Sequence, residues 1–111
     1  MVIVSLDFEI IRATPAVAEF LVHVEIDSPA EGHKVLGRAV GPRCPEVSTV
    51  EVAYPMSSVS IRDNRVSMRC VIPEPNMWTA ETPFTYSVTV DLRNGGEVIA
   101  TRTGAVGFRG N

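Results

Sequence analysis

The chain has 111 residues, 45% of them apolar and 21% charged, and a formal net charge of -3. That leaves room for one hydrophobic core rather than two, and the balance is that of a folded domain, which excludes intrinsic disorder. So mild an acidity removes the electrostatic basis for nucleic-acid binding, which relies on a basic face.

Val, Ile and Thr together number 32 against four Leu. β-branched side chains suit a pleated surface and are slightly costly in helices, so strands are expected throughout. In chain order, Val2, Val4, Leu6, Phe8 and Ile10 share one parity, with Ser5, Asp7 and Glu9 opposite. That alternation marks a half-buried strand. Phe20, Val22, Val24 and Ile26 repeat it against Glu19, His23 and Glu25. Asp27 to His33 reads as a turn, rich in Pro, Gly and carboxylates. His33 to Val40 is a weaker strand, broken by Gly41 to Pro45. Val50, Val52 and Tyr54 alternate next and stop at Pro55. Val59 to Arg62, the turn at Asp63-Asn64, and Arg65 to Ile72 read as a hairpin or a bent strand pair. Phe84, Tyr86, Val88, Val90 and Leu92 make the clearest strand, followed by Asn94-Gly95-Gly96. That glycine pair permits positive φ, and the returning strand is Val98 to Thr103. Ala105 to Arg109 ends the pattern.

Seven or eight short strands with regular turn signals predict an all-β fold, an immunoglobulin-like antiparallel β-sandwich formed as a single domain over residues 1–111. No segment carries a 3.6-residue apolar stripe; the nearest, Pro15 to Leu21, is short and runs into a strand. The opening MVIVSLDFEII lacks a basic n-region and carries Asp7 and Glu9, so it does not read as a signal peptide. No run is long enough for a transmembrane helix. A cytoplasmic location is expected, or a piece cut from a longer chain; no membrane partner is.

Candidate chemistry is sparse. His23 and His33 have no Cys or His at ligand spacing, so no metal is expected. His23 reads as a solvent-face strand residue and His33 as a turn residue. No glycine-rich loop opens a helix, and no serine stands in a G-x-S-x-G elbow, so no phosphate cradle, cofactor or acyl-enzyme is expected. Cys44 lies in a proline-flanked loop and Cys70 in an apolar strand; a disulfide and two separate thiols both remain open. The nine arginines, against the single Lys34, would suit carboxylate or phosphate recognition if clustered. They are scattered along the chain, and a coding bias accounts for them. Glu74 and Glu81 bracket Trp78, and an aromatic beside two acids has the look of a sugar site. Glycoside cleavage needs a cleft between acids of different ionisation, and two solvated loop glutamates beside a packing tryptophan is the expected arrangement.

From Ile72 to Arg109 the chain reads IPEPNMWTAETPFTYSVTVDLRNGGEVIATRTGAVGFR. In order and spacing Pro75, Trp78, Thr79, Glu81, Pro83, Tyr86, Gly95, Gly96, Gly107, Phe108 and Arg109 resemble the end of the sandwich domain of family 2 glycoside hydrolases. That group contains β-galactosidases, β-glucuronidases and β-mannosidases. Thr85 stands where the family often has Leu. The resemblance implies a non-catalytic module whose partners are neighbouring domains, a sugar-binding jelly-roll and a catalytic barrel, with carbohydrate as a further ligand. The family's catalytic carboxylates lie in the barrel that follows the Gly-Phe-Arg strand, so none is carried over here. The physical reading agrees: prolines fix an irregular crossing, Trp78 is available to plug a sandwich end, and Gly107 lets the backbone approach closely before Phe108. Arg109 either braces a domain interface or is a solvated arginine. The competing expectation is a free-standing binding or adhesion domain that uses its end loops or an open edge.

Overall fold

The structure is a computed structural model that describes residues 3–27, 33–62, 64–94 and 96–109. Val2, the tip of the Asp27–His33 turn, Asp63, Gly95 and the last two residues lie outside them. Eight strands follow in order: β1 (Ile3–Ala13), β2 (Val17–Ile26), β3 (His33–Arg43), β4 (Val52–Pro55), β5 (Ser57–Arg62), β6 (Arg65–Pro73), β7 (Thr85–Asn94) and β8 (Glu97–Val106). They form two four-stranded sheets, ordered β1-β2-β6-β5 and β4-β3-β7-β8. All the pairings are antiparallel. This is the immunoglobulin-like arrangement, in which the first, second and fifth-type strands share one sheet and the third, sixth and seventh-type strands the other.

The core lies between the sheets and follows from the alternation. On β2, Ala18, Phe20, Val22, Val24 and Ile26 are buried, as are Val66, Met68, Cys70 and Ile72 on β6. Tyr86, Val88, Val90 and Leu92 face them from β7. Burying each Val, Ile or Phe contributes roughly 1.5–3 kcal/mol relative to exposure. The outward parity of β2 and β6 carries the charges expected there, including Glu19, Glu25, Arg65 and Arg69.

Strand β1 departs from its sequence pattern. Its register slips between Ile3 and Ser5 and again between Ile10 and Arg12. Each slip is a bulge that adds one residue and turns a side chain to the other face. Ile3 is therefore buried while Val4 and Ile11 are each 50% exposed.

Other boundaries differ as well. His33, placed by the sequence at the end of the turn and the start of the strand, opens β3 and pairs with Asn94. The expected break at Gly41 does not end β3, which continues through a cis Gly41-Pro42 bond to Arg43. A Cβ at Gly41 would stand 2.7 Å from the Tyr86 ring, so the strand passes there only because the residue has no side chain. Val50 belongs to no strand; it is 86% exposed on the loop before β4. Ala105 and Val106 continue β8 rather than starting a new element. Cys44 and Cys70 are free thiols, one partly exposed beside a β-bridge to Val47 and one in the core.

Candidate functional site

The residues singled out from the sequence, Pro75, Trp78, Glu81, Pro83, Tyr86, Gly107, Phe108 and Arg109, meet at one end of the sandwich. There β6 ends at Pro73, residues 74–84 cross from one sheet to the other, and β7 begins. The crossing is pinned at its start. Glu74 N–H donates to the Ala16 carbonyl at 2.9 Å, and Glu74 itself takes a left-handed φ of 46°. Pro75 is buried. The Asn76 N–H donates to the Tyr86 hydroxyl at 3.0 Å.

That last bond is a tyrosine corner: a tyrosine near the start of the sixth-type strand holds the backbone just upstream. Tyr86 is 1% exposed and belongs to an aromatic cluster. Its ring lies 5.6 Å from Phe108, and Phe108 lies 5.6 Å from Phe20. Tyr54 from β4 meets Tyr86 edge-on at 6.3 Å. Burial raises the Tyr86 hydroxyl above its ordinary pKa, with the Asn76 bond opposing the shift. It is therefore Phe108, fully buried, that plugs this end of the sandwich.

Trp78 has a different place from the one expected. It is only partly buried and lies over the segment that follows β8 rather than inside the sandwich. Its backbone N–H donates to the Phe108 carbonyl at 2.7 Å. A Cβ at Gly107 would stand 3.0 Å from Trp78 Cδ1, so the close approach allowed by this glycine is that of the indole. Arg109 then covers the ring, its guanidinium carbon 3.8 Å from the centroid. Arg109 is exposed and forms the lid of an intramolecular cation–π stack.

Pro83 forms a β-bridge with Trp78. Between them the turn is closed by Thr79 and Thr82: Thr79 N–H donates to the Thr82 carbonyl at 3.1 Å, and Thr82 N–H to the Thr79 hydroxyl at 3.0 Å. Glu81 is exposed at the tip of this turn, and Glu74 is exposed at the start of the crossing. Among the described residues no three His, Cys, Asp or Glu side chains form a metal-binding group.

The sequence reading missed one chain of polar groups. On the outer face of the first sheet, His23 Nδ1 lies 2.8 Å from Ser67 Oγ and Nε2 lies 2.9 Å from Glu9 Oε1. Strand pairing alone would have placed Ser67 opposite His23. Ser67 is buried on an open sheet face, so the row ties three strands together rather than presenting a nucleophile.

Residues 2–109 match the model of the glycosyl hydrolases family 2. A β-galactosidase from Priestia megaterium is 40% identical over 55 residues, 48% of this chain and 5% of that protein. The β-glucuronidase of Bifidobacterium dentium has a similar fold, with a TM-score of 0.65 at 15% identity over 96% of this chain and 18% of that one. A family 2 glycosyl hydrolase from Bacteroides cellulosilyticus superposes with a TM-score of 0.64 at 16% identity, over 96% of this chain and 15% of that one. The chain thus spans less than a fifth of the proteins it matches. Among the described residues no helix is long and apolar enough to cross a membrane.

Proposed function

Because the chain belongs to the glycosyl hydrolases of family 2, we propose that residues 1–111 act as one non-catalytic sandwich module of a multidomain glycosidase. Its task is to hold neighbouring domains, a sugar-binding jelly-roll and a catalytic barrel, at a fixed spacing and direction. The observation that carries this reading is the clamp on the last strand. Trp78 binds the Phe108 carbonyl, Gly107 admits the indole, and Arg109 closes over it. Such a clamp fixes the direction of the backbone at the end of β8, which is what a spacer between rigid bodies requires. The exposed positions of Glu74 and Glu81 on an open surface support a role without chemistry.

The test is enzymatic and direct. The purified chain, incubated with nitrophenyl β-galactoside, β-glucuronide and β-mannoside, shows no release above buffer. Release that disappears in Glu74→Gln or Glu81→Gln would overturn the module reading.

A further inference from the structure

The basic residues look scattered in the sequence, yet the register of β3, β7 and β8 gathers three of them on one outward face. Lys34 stands opposite Arg93, Leu36 opposite Asp91, and Arg38 opposite Thr89. On the other side of β7, Arg93 pairs with Val98 and Asp91 with Thr101. Three cations therefore share a face with one carboxylate. Asp91 is 8% exposed and already engaged. Its Oδ1 accepts from the Thr101 hydroxyl at 2.9 Å. Its Oδ2 lies 3.7 Å from Arg38 Nη1 and 3.5 Å from Arg93 Nη2.

Several features show that the positive charge here is incompletely matched. Both arginine contacts exceed the roughly 2.7–2.9 Å of a charge-assisted hydrogen bond. Arg93 Nε is sealed from solvent and has no acceptor. Lys34 and Arg93 are like charges directly opposite on one face, an arrangement that destabilises a sheet. On the outer face of the other sheet the acids and the imidazole are held closely, although Arg62 and Arg65 also stand opposite each other. There Glu19 is held by Arg69 at 2.5 Å and Arg12 at 3.4 Å, and His23 has a partner on each ring nitrogen.

We infer that Arg38 and Arg93 form a docking site for a carboxylate side chain on a protein partner. A guanidinium fork matches a carboxylate in shape as well as charge. An incoming carboxylate draws Arg93 outward, gives Nε its missing acceptor, and offsets the Lys34–Arg93 repulsion. Leu36 and Val98, 48% and 47% exposed, flank the charges on the same face. The acid is therefore presented from an apolar-framed protein surface rather than as a free ion. The site stands apart from the interdomain clamp at Trp78 and Arg109, and either can fail without the other.

The test follows the side-chain Nε–H resonances of the nine arginines in the isotopically labelled full chain. The probe is a capped tripeptide with glutamate between two valines. Its glutamine analogue, acetate and inorganic phosphate are the comparison arms. The glutamate peptide is expected to shift Arg38 and Arg93 selectively, while the glutamine peptide leaves them unmoved. Arg93→Lys keeps the charge and the fold but loses the fork, so binding weakens about ten-fold, the scale of one charge-assisted contact. Leu36→Ser weakens peptide binding and not acetate binding. Three outcomes overturn the inference: no selective shift, equal binding of acetate and peptide, or tighter binding of phosphate than of the peptide.

Discussion

Tyr86 shows how much one polar atom can hold at this end of the sandwich. Its hydroxyl is the acceptor for the Asn76 N–H in the crossing segment. Tyr86→Phe keeps the ring in its aromatic cluster and removes only that acceptor. Asn76 is exposed and water can replace the acceptor, so the loss is that of one hydrogen bond, about 0.5–1.5 kcal/mol, read by urea denaturation with an unchanged m-value. Gly41→Ala tests the same ring from the other side. The added Cβ meets Tyr86 at 2.7 Å and the Thr85 carbonyl at 3.0 Å, so overpacking costs about 1–3 kcal/mol in the same measurement. Cys70 gives a pH signature. Burial pushes its thiol from 9.0 up to about 11. As pH rises through 9.0 the unfolded thiol loses its proton first, while the folded thiol keeps it until about 11. The unfolded state then binds fewer protons, so stability falls across that window. Tyr86, raised by the same burial, adds a decline of the same sign at higher pH. Melting temperatures measured against pH should show this alkaline loss, and Cys70→Ala should flatten its lower part.

At the scale of elements, the two sheets are joined at their edges by a small-for-large match. Gly104 on β8 lies under Phe8 on β1, where a Cβ would stand 2.9 Å from the ring. Phe8 in turn meets Phe20 edge-on at 6.4 Å. Gly104→Ala therefore destabilises, Phe8→Leu destabilises, and the double variant loses less than the sum. A double-mutant cycle in denaturant should return a coupling of about 0.5–3 kcal/mol, and additivity within error would remove the claimed contact. The strands themselves were largely legible. β2, β6 and β7 each bury one face against one sheet, so their parity survives intact from sequence to structure. β1 was misread at Val4 and Ile10, 50% and 46% exposed, because bulges change register without leaving a mark in the alternation. β3 was misread at Gly41 and Pro42 because both residues ordinarily signal a break. Here the backbone continues beneath Tyr86, a contact made across 45 residues of chain. Trp78 meets Gly107, Phe108 and Arg109 but lies outside the core, where Phe108 fills the sandwich end.

For the molecule as a whole, the eight strands enclose one continuous core drawn from both sheets. One cooperative unfolding transition is expected, with far-UV circular dichroism and the fluorescence of the single tryptophan moving together. An earlier fluorescence transition would mean that the Trp78 corner melts as a separate unit. By itself the sequence determined the strand composition, the inward residues of β2 and β7, the hairpin at Asn94 and the motif that names the family. These follow from short-range chemistry: β-branched side chains, two-residue periodicity, and turn residues at fixed offsets. Only the tertiary structure decided which scattered charges become neighbours. Arg38 and Arg93 lie 55 residues apart in the chain and on adjacent strands in the sheet, and Glu9, His23 and Ser67 come from three strands. Strand order and register set those meetings, and both are properties of the packed core rather than of any local stretch of residues.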